Sequence, residues 1–151
     1  MKKTILLIAA GILAAIGGLG LNCYNVTPDP ENDFEIKMLD DTLITATAEK
    51  GTDFHMDIKN LTNVDLPIKV DTLKTELPEK WYITTCDESK CYPLPIDTTL
   101  KAGESWQKLH FSINPDKDAA KGAEGKIVVT VAATAKGKTE VDTVNLKLQI
   151  K

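Results

Sequence analysis

Hydrophobic and polar residues alternate with a period of two along most of the chain, and that alternation predicts strands. Phe34, Ile36 and Met38 alternate with Glu35 and Lys37. Phe54, Met56 and Ile58 alternate with His55, Asp57 and Lys59, and Leu66, Ile68 and Val70 follow around Pro67, Lys69 and Asp71. Leu109, Phe111 and Ile113 alternate with His110 and Ser112. Ile127, Val129, Val131 and Ala133 form one face of a longer run, and Val144, Leu146, Leu148 and Ile150 close the chain. Residues 43–48 and 81–86 are rich in β-branched and aromatic types. Turn chemistry separates the runs: a hairpin is expected at Glu49–Thr52, a break at Asn60–Asn63, and glycine turns at Lys101–Glu104 and Lys136–Lys138. Asn114–Gly125 is the longest break, with one helical turn expected at Lys117–Lys121. No stretch after the first segment carries a helical face.

One face of each run is apolar, as an antiparallel sandwich requires. The expected fold is therefore all-β: an antiparallel immunoglobulin-like sandwich of about seven to nine strands, with a small barrel as the alternative. The Cys…Trp…Cys signature of antibody domains is absent.

The first segment breaks this pattern. Met1-Lys2-Lys3 is a short basic start, and Thr4–Asn22 runs 19 residues without a charge. Residues 1–22 read as a signal segment rather than part of the fold. An uncleaved anchor is the competing reading, since 19 residues just span a bilayer, but Gly11, Gly17, Gly18 and Gly20 weaken the helix it needs. Leu19-Gly20-Leu21-Asn22-Cys23 resembles a bacterial lipoprotein signal. In such signals a cysteine after a small residue is lipidated and becomes the new N-terminus. That resemblance implies a lipid on Cys23, and simple secretion after an ordinary cleavage is the alternative. Residues 23–33 carry Pro28 and Pro30 among polar neighbours and read as a flexible tether. Residues 34–151 are then the sandwich domain.

Charge narrows the partners. All 18 basic residues are lysines, two of them in the acid-free leader, so the remainder sets 16 lysines against 22 acids, a net of −6. Phosphate and base-edge recognition lean on arginine's planar fork, so nucleic acid is not an expected partner.

The most distinctive stretch is residues 77–96, LPEKWYITTCDESKCYPLPI. In an exported chain Cys86 and Cys91 default to a local disulfide, which would stabilise by roughly 2 kcal/mol on the chain-entropy view. It also resolves the cysteine arithmetic, because it leaves Cys23 for lipid. The sharper alternative is a periplasmic thiol–disulfide pair. Against it, four residues separate the cysteines where redox pairs use two, no helix follows, and Asp87 and Glu88 between them would raise a thiol pKa.

The same stretch resembles immunoglobulin-like domains of exported and lipid-anchored proteins from Bacteroidetes, Fibrobacteres and related bacteria. The resemblance runs through an asparagine turn and strand at Asn60–Val70, then Trp81, Cys86-Asp87 and Cys91-Tyr92. It continues through a glycine turn at Leu100–Glu104, a strand from His110 to Pro115, and valine-rich final strands. It implies an envelope domain without an assigned catalytic role and supplies no functional residues.

No catalytic, cofactor or metal motif stands out. His55 and His110 are the only histidines, each on the polar face of its run. Ser89, Ser105 and Ser112 occupy no nucleophile elbow. Asp40-Asp41 lacks the alternating oxygens of a calcium loop and reads as a turn. The sequons at Asn25 and Asn60 read as chance matches. The candidate contact surface is Trp81, Tyr82, Asp87, Glu88, Tyr92 and Trp106, offered to an envelope protein or, through the aromatics, to a glycan. The expected job is that of a non-enzymatic lipoprotein of the cell envelope, membrane-held through Cys23, its domain a structural, accessory or binding module.

Overall fold

The alternating runs do form strands. A computed structural model describes residues 32–151, so the leader, Cys23 and nearly all of the tether lie outside the described residues. The ten strands are β1 Phe34–Met38, β2 Leu43–Ala46, β3 Thr52–Asn60, β4 Leu66–Glu76, β5 Tyr82–Cys86, β6 Cys91–Tyr92, β7 Ile96–Leu100, β8 Ser105–Asn114, β9 Glu124–Ala135 and β10 Lys138–Ile150. They build two five-stranded sheets, ordered β1-β3-β8-β5-β6 and β2-β10-β9-β4-β7. Neighbours are antiparallel except β2, which runs parallel to β10.

The core lies where the inward residues of the two sheets meet. β3 contributes Phe54, Met56 and Ile58, and β8 contributes Leu109, Phe111 and Ile113. Facing them are Leu66, Ile68 and Val70 of β4, Val129 and Val131 of β9, and Leu146 and Leu148 of β10. All are buried, at about 1.5–3 kcal/mol of transfer free energy for each large side chain. The expected apolar faces are thus the real ones.

Three expectations change. The strands number ten because the Cys91–Leu100 stretch folds as β6 and β7. Pro93, Pro95 and the polar Asp97-Thr98-Thr99 hide that short edge strand from the alternation. Glu49–Thr52 is not a hairpin, because β2 lies in the second sheet and β3 in the first. Gly51 serves the crossing through close approach, since a Cβ there would meet the Asn114 side-chain oxygen at 2.3 Å. Lys117–Lys121 forms no helical turn. Turns closed by Asp116 O to Ala119 N–H (2.9 Å) and Ala120 O to Ala123 N–H (3.0 Å) replace it. The Lys136-Gly137 turn is as expected: φ values of 49° and 77° make a two-residue hairpin between β9 and β10.

Both central pairings contain a bulge. Met56 faces Leu109 but Ile58 faces Trp106, so β8 carries one extra residue opposite Asp57. Lys108 takes a φ of 55° there, and its N–H donates to Asp57 Oδ1 at 2.9 Å. In β4 the shift falls between Thr72 and Lys74, which ejects Leu73 to 73% exposure.

Chain crossings between sheets leave backbone groups without a ladder, and Asn60 satisfies several of them. It is fully buried at the end of β3. Its amide donates to the carbonyls of Val64 (2.8 Å), Leu100 (3.1 Å) and Lys101 (2.9 Å). Its oxygen accepts from the Thr62 N–H and hydroxyl, both at 2.8 Å. The Asn60-Leu61-Thr62 sequence is therefore a structural tie between the β3–β4 and β7–β8 connections. Asp33 is held as well: its N–H donates to Glu140 (2.7 Å) and its carbonyl accepts from Leu61 (3.0 Å). Asn60→Ala should cost about 3 kcal/mol, because it strands buried carbonyls as well as removing bonds. Urea unfolding checks this, and the loss should appear in the midpoint with an unchanged slope.

Candidate functional site

The distinctive stretch folds into a clasp at one end of the first sheet. β5 and β6 pair through Thr85–Tyr92 and Cys86–Cys91, and the two cysteines form a disulfide. Asp87 begins the intervening loop, where a short acceptor side chain can bond the backbone ahead of it. Its Oδ1 accepts from Ser89 N–H (2.7 Å), Ser89 Oγ (2.6 Å) and Lys90 N–H (3.0 Å), while Asp87 N–H donates to Lys90 O (2.9 Å). Its Oδ2 accepts from the Tyr92 hydroxyl and from Trp106 Nε1 at 3.1 Å.

Tyr92 and Trp106 meet edge to face with ring centres 5.6 Å apart, and Lys90 Nζ lies 4.9 Å from the Tyr92 ring centre. Lys108 pairs with Glu88 on the exposed side. The Ser89 hydroxyl, the Tyr92 hydroxyl, the Ser89 amide and the Trp106 indole together hold the Asp87 carboxyl far below the usual carboxylate range. In return, the bond to Asp87 raises the Tyr92 phenol. A carboxylate so stabilised in its charged form is a poor general base at neutral pH. The arrangement is a clasp that orders the loop.

The candidate contact residues divide. Asp87, Tyr92 and Trp106 come together in the clasp, with Glu88 on its rim. Tyr82 stands at the far end of β5, 59% exposed. Trp81 is only 7% exposed and belongs to the core. It packs against Gly125, where an added Cβ would lie 2.7 Å from its ring, so no aromatic stacking surface includes it. Among the described residues, Thr85 Oγ1 is the buried side-chain polar atom without a hydrogen-bond partner. It borders an open cleft of about 410 Å³ lined by Ile83, Thr84, Tyr92 and Leu94 among others.

The structure also unites residues that sequence reading kept apart. His55 and His110 lie directly opposite each other on β3 and β8, and His110 lies opposite Cys86. Cys91, Cys86, His110 and His55 are thus successive cross-strand neighbours on the outer face. Local patterns carry no signal for this, because it depends on strand register. The local hints of the clasp are the Cys86…Cys91 pair and the Asp87-x-Ser89 spacing.

The chain is similar to the ASH/PapD-like domain 7 of human CEP192, at 14% identity over 97% of this chain and 98% of that one, with a TM-score of 0.53. That likeness and the two five-stranded sheets show the fold, an immunoglobulin-like β-sandwich. Weaker likenesses are the N-terminal domain of PorA (15% identity, 78% and 97% covered, TM-score 0.49) and the CooA pilin subunit of enterotoxigenic Escherichia coli (8%, 80% and 99%, 0.47). No protein-family model and no curated protein matches the sequence.

Ionised Asp87 stabilises the β5–β6 clasp through the bonds its carboxylate accepts. The folded-state pKa is depressed, so the stabilisation is complete above the unfolded value of about 3.9 and falls away as pH drops below it. Asp87→Asn should cost about 2 kcal/mol at neutral pH, since an amide nitrogen cannot accept from Tyr92 and Trp106. Urea unfolding at neutral and at acid pH should show the gap from wild type narrowing in acid.

Proposed function

We propose that this chain is an exported, lipid-anchored protein of the cell envelope whose immunoglobulin-like domain is a non-enzymatic structural, binding or accessory module. The Cys86–Cys91 disulfide carries the reading, because such bridges persist in oxidising compartments outside the cytoplasm. The charge-free leader and the lipoprotein-like sequence ending at Cys23 support it, as does the resemblance to exported domains of Bacteroidetes and Fibrobacteres. In this reading residues 23–33 tether the domain a short distance from the membrane. Beyond Thr85 and Cys86, β5 has only β8 beside it, so Tyr82–Thr84 form a free edge. An extended segment of an envelope protein would pair there, with Tyr82 and Glu88 on its flanks. The glycan alternative is less well supported, since Trp81 is spent on the core.

A redox role for Cys86 and Cys91 is the second reading, and His110 opposite Cys86 is the feature that favours it. A protonated imidazole there would stabilise a thiolate. The flanking Glu88 and the absence of a helix N-terminus among the described residues weigh against it.

An intact mass of the mature protein from native membranes, with and without reduction and alkylation, tests the proposal. The expected mass begins at Cys23 and carries acyl groups, with Cys86 and Cys91 alkylated only after reduction. An unlipidated Cys23 would overturn the anchoring, and freely alkylated Cys86 and Cys91 would overturn the structural bridge.

A further inference from the structure

The two histidines lie side by side on the outer face of the first sheet. They are direct cross-strand partners, with ring centres 5.0 Å apart and planes inclined by 46°. Each Nδ1 is engaged by an oxygen that can only accept. His55 Nδ1 lies 2.7 Å from Asp40 Oδ2, and His110 Nδ1 lies 3.3 Å from the Lys108 carbonyl. In the neutral rings the proton therefore sits on Nδ1, and each Nε2 keeps a free lone pair. An oxygen behind the non-ligating nitrogen is the outer-shell partner that orients imidazoles in metal sites. Asp40 is itself fixed, since the same Oδ2 accepts the His55 backbone N–H at 2.7 Å.

The spacing suits one ion. Two imidazoles bound through Nε2 at about 2.0–2.1 Å put their ring centres about 3.2 Å from the metal. At ligand angles of about 90–110° those centres stand about 4.5–5.2 Å apart, a range that includes the observed separation. Water reaches the site, because the His55 side chain is 35% exposed and that of Asp40 37%. Asp53 and Asp57 flank His55 on the same face of β3 and add negative potential. Among the described residues no group of three or more histidine, cysteine or acidic side chains forms a closed metal cage.

We propose that His55 and His110 form a two-histidine chelate for a late first-row divalent metal ion, preferring Cu²⁺, with water in the remaining positions. Two neutral nitrogens and water give an open site, for which affinity follows the order that peaks at copper. The proposal stands independently of the lipid anchor and of the free β5 edge.

The test is a Cu²⁺ titration of the full chain, oxidised, in detergent and without a polyhistidine tag. Calorimetry would follow affinity, and electron paramagnetic resonance would count the coupled nitrogens. Wild type should show two imidazole nitrogens on one bound Cu²⁺. His55→Gln and His110→Gln should each weaken binding by about tenfold or more and reduce the spectrum to one nitrogen. Asp40→Asn should weaken binding while keeping both nitrogens, the mark of a positioning residue. Copper held at a chain terminus or on scattered carboxylates would ignore both histidine substitutions. Affinities within about twofold of wild type in both variants, or a single-nitrogen wild-type spectrum, would overturn the proposal.

Discussion

One extra residue in β8 sets which face of the first sheet its side chains on either side of the bulge occupy. A strand alternates its side chains between two faces, so an inserted residue reverses which face every later side chain occupies. At the Asp57–Lys108 bulge the chain makes that reversal once, and the Asp57 carboxylate takes up the displaced Lys108 N–H. Before the bulge, Trp106 is turned inward beside Ile58, within reach of Asp87 and Tyr92. After it, Leu109, Phe111 and Ile113 fill the core while His110 points out beside His55 and Cys86. A regular strand could supply the indole to the clasp or the imidazole to the outer face, but not both along with the buried core.

The rest of the polar interior follows from the sandwich topology. Two sheets built from one chain need crossings, and each crossing removes backbone groups from a ladder. Asn60 absorbs several of these with a single buried amide, and Gly51 admits the Asn114 side chain where no Cβ would fit. At the β5–β6 edge of the first sheet the Cys86–Cys91 bridge and the Asp87 carboxylate hold a short loop that has little apolar surface of its own. The outcome is a domain whose ends are fixed by specific polar ties and whose middle is fixed by packing.

How much of this could be read in advance depends on its range along the chain. The apolar faces of β3, β4, β9 and β10 were legible, because alternation is local and burial follows it. The Lys136-Gly137 hairpin was legible because glycine at position 137 readily takes the left-handed φ that a two-residue turn needs. The assignment of β2 to the sheet opposite β3 was not, since Glu49–Thr52 has the composition of a hairpin and only tertiary pairing with β10 decides otherwise. β7 was missed beneath its prolines and threonines. Cys86 and Cys91 announced themselves as a pair, whereas Trp106 lies 19 residues from Asp87 and joins it only through the bulge. His55 and His110, each unremarkable in its own strand, become neighbours through register alone.

Solution NMR of cross-strand contacts in the folded protein tests that register most directly. The bulged pairing predicts backbone contacts of Ile58 with Trp106 and of His55 with His110. Contacts of Ile58 with Gln107, the partner an unbulged strand would place there, would contradict it. They would turn Trp106 out to solvent and break its link to Asp87.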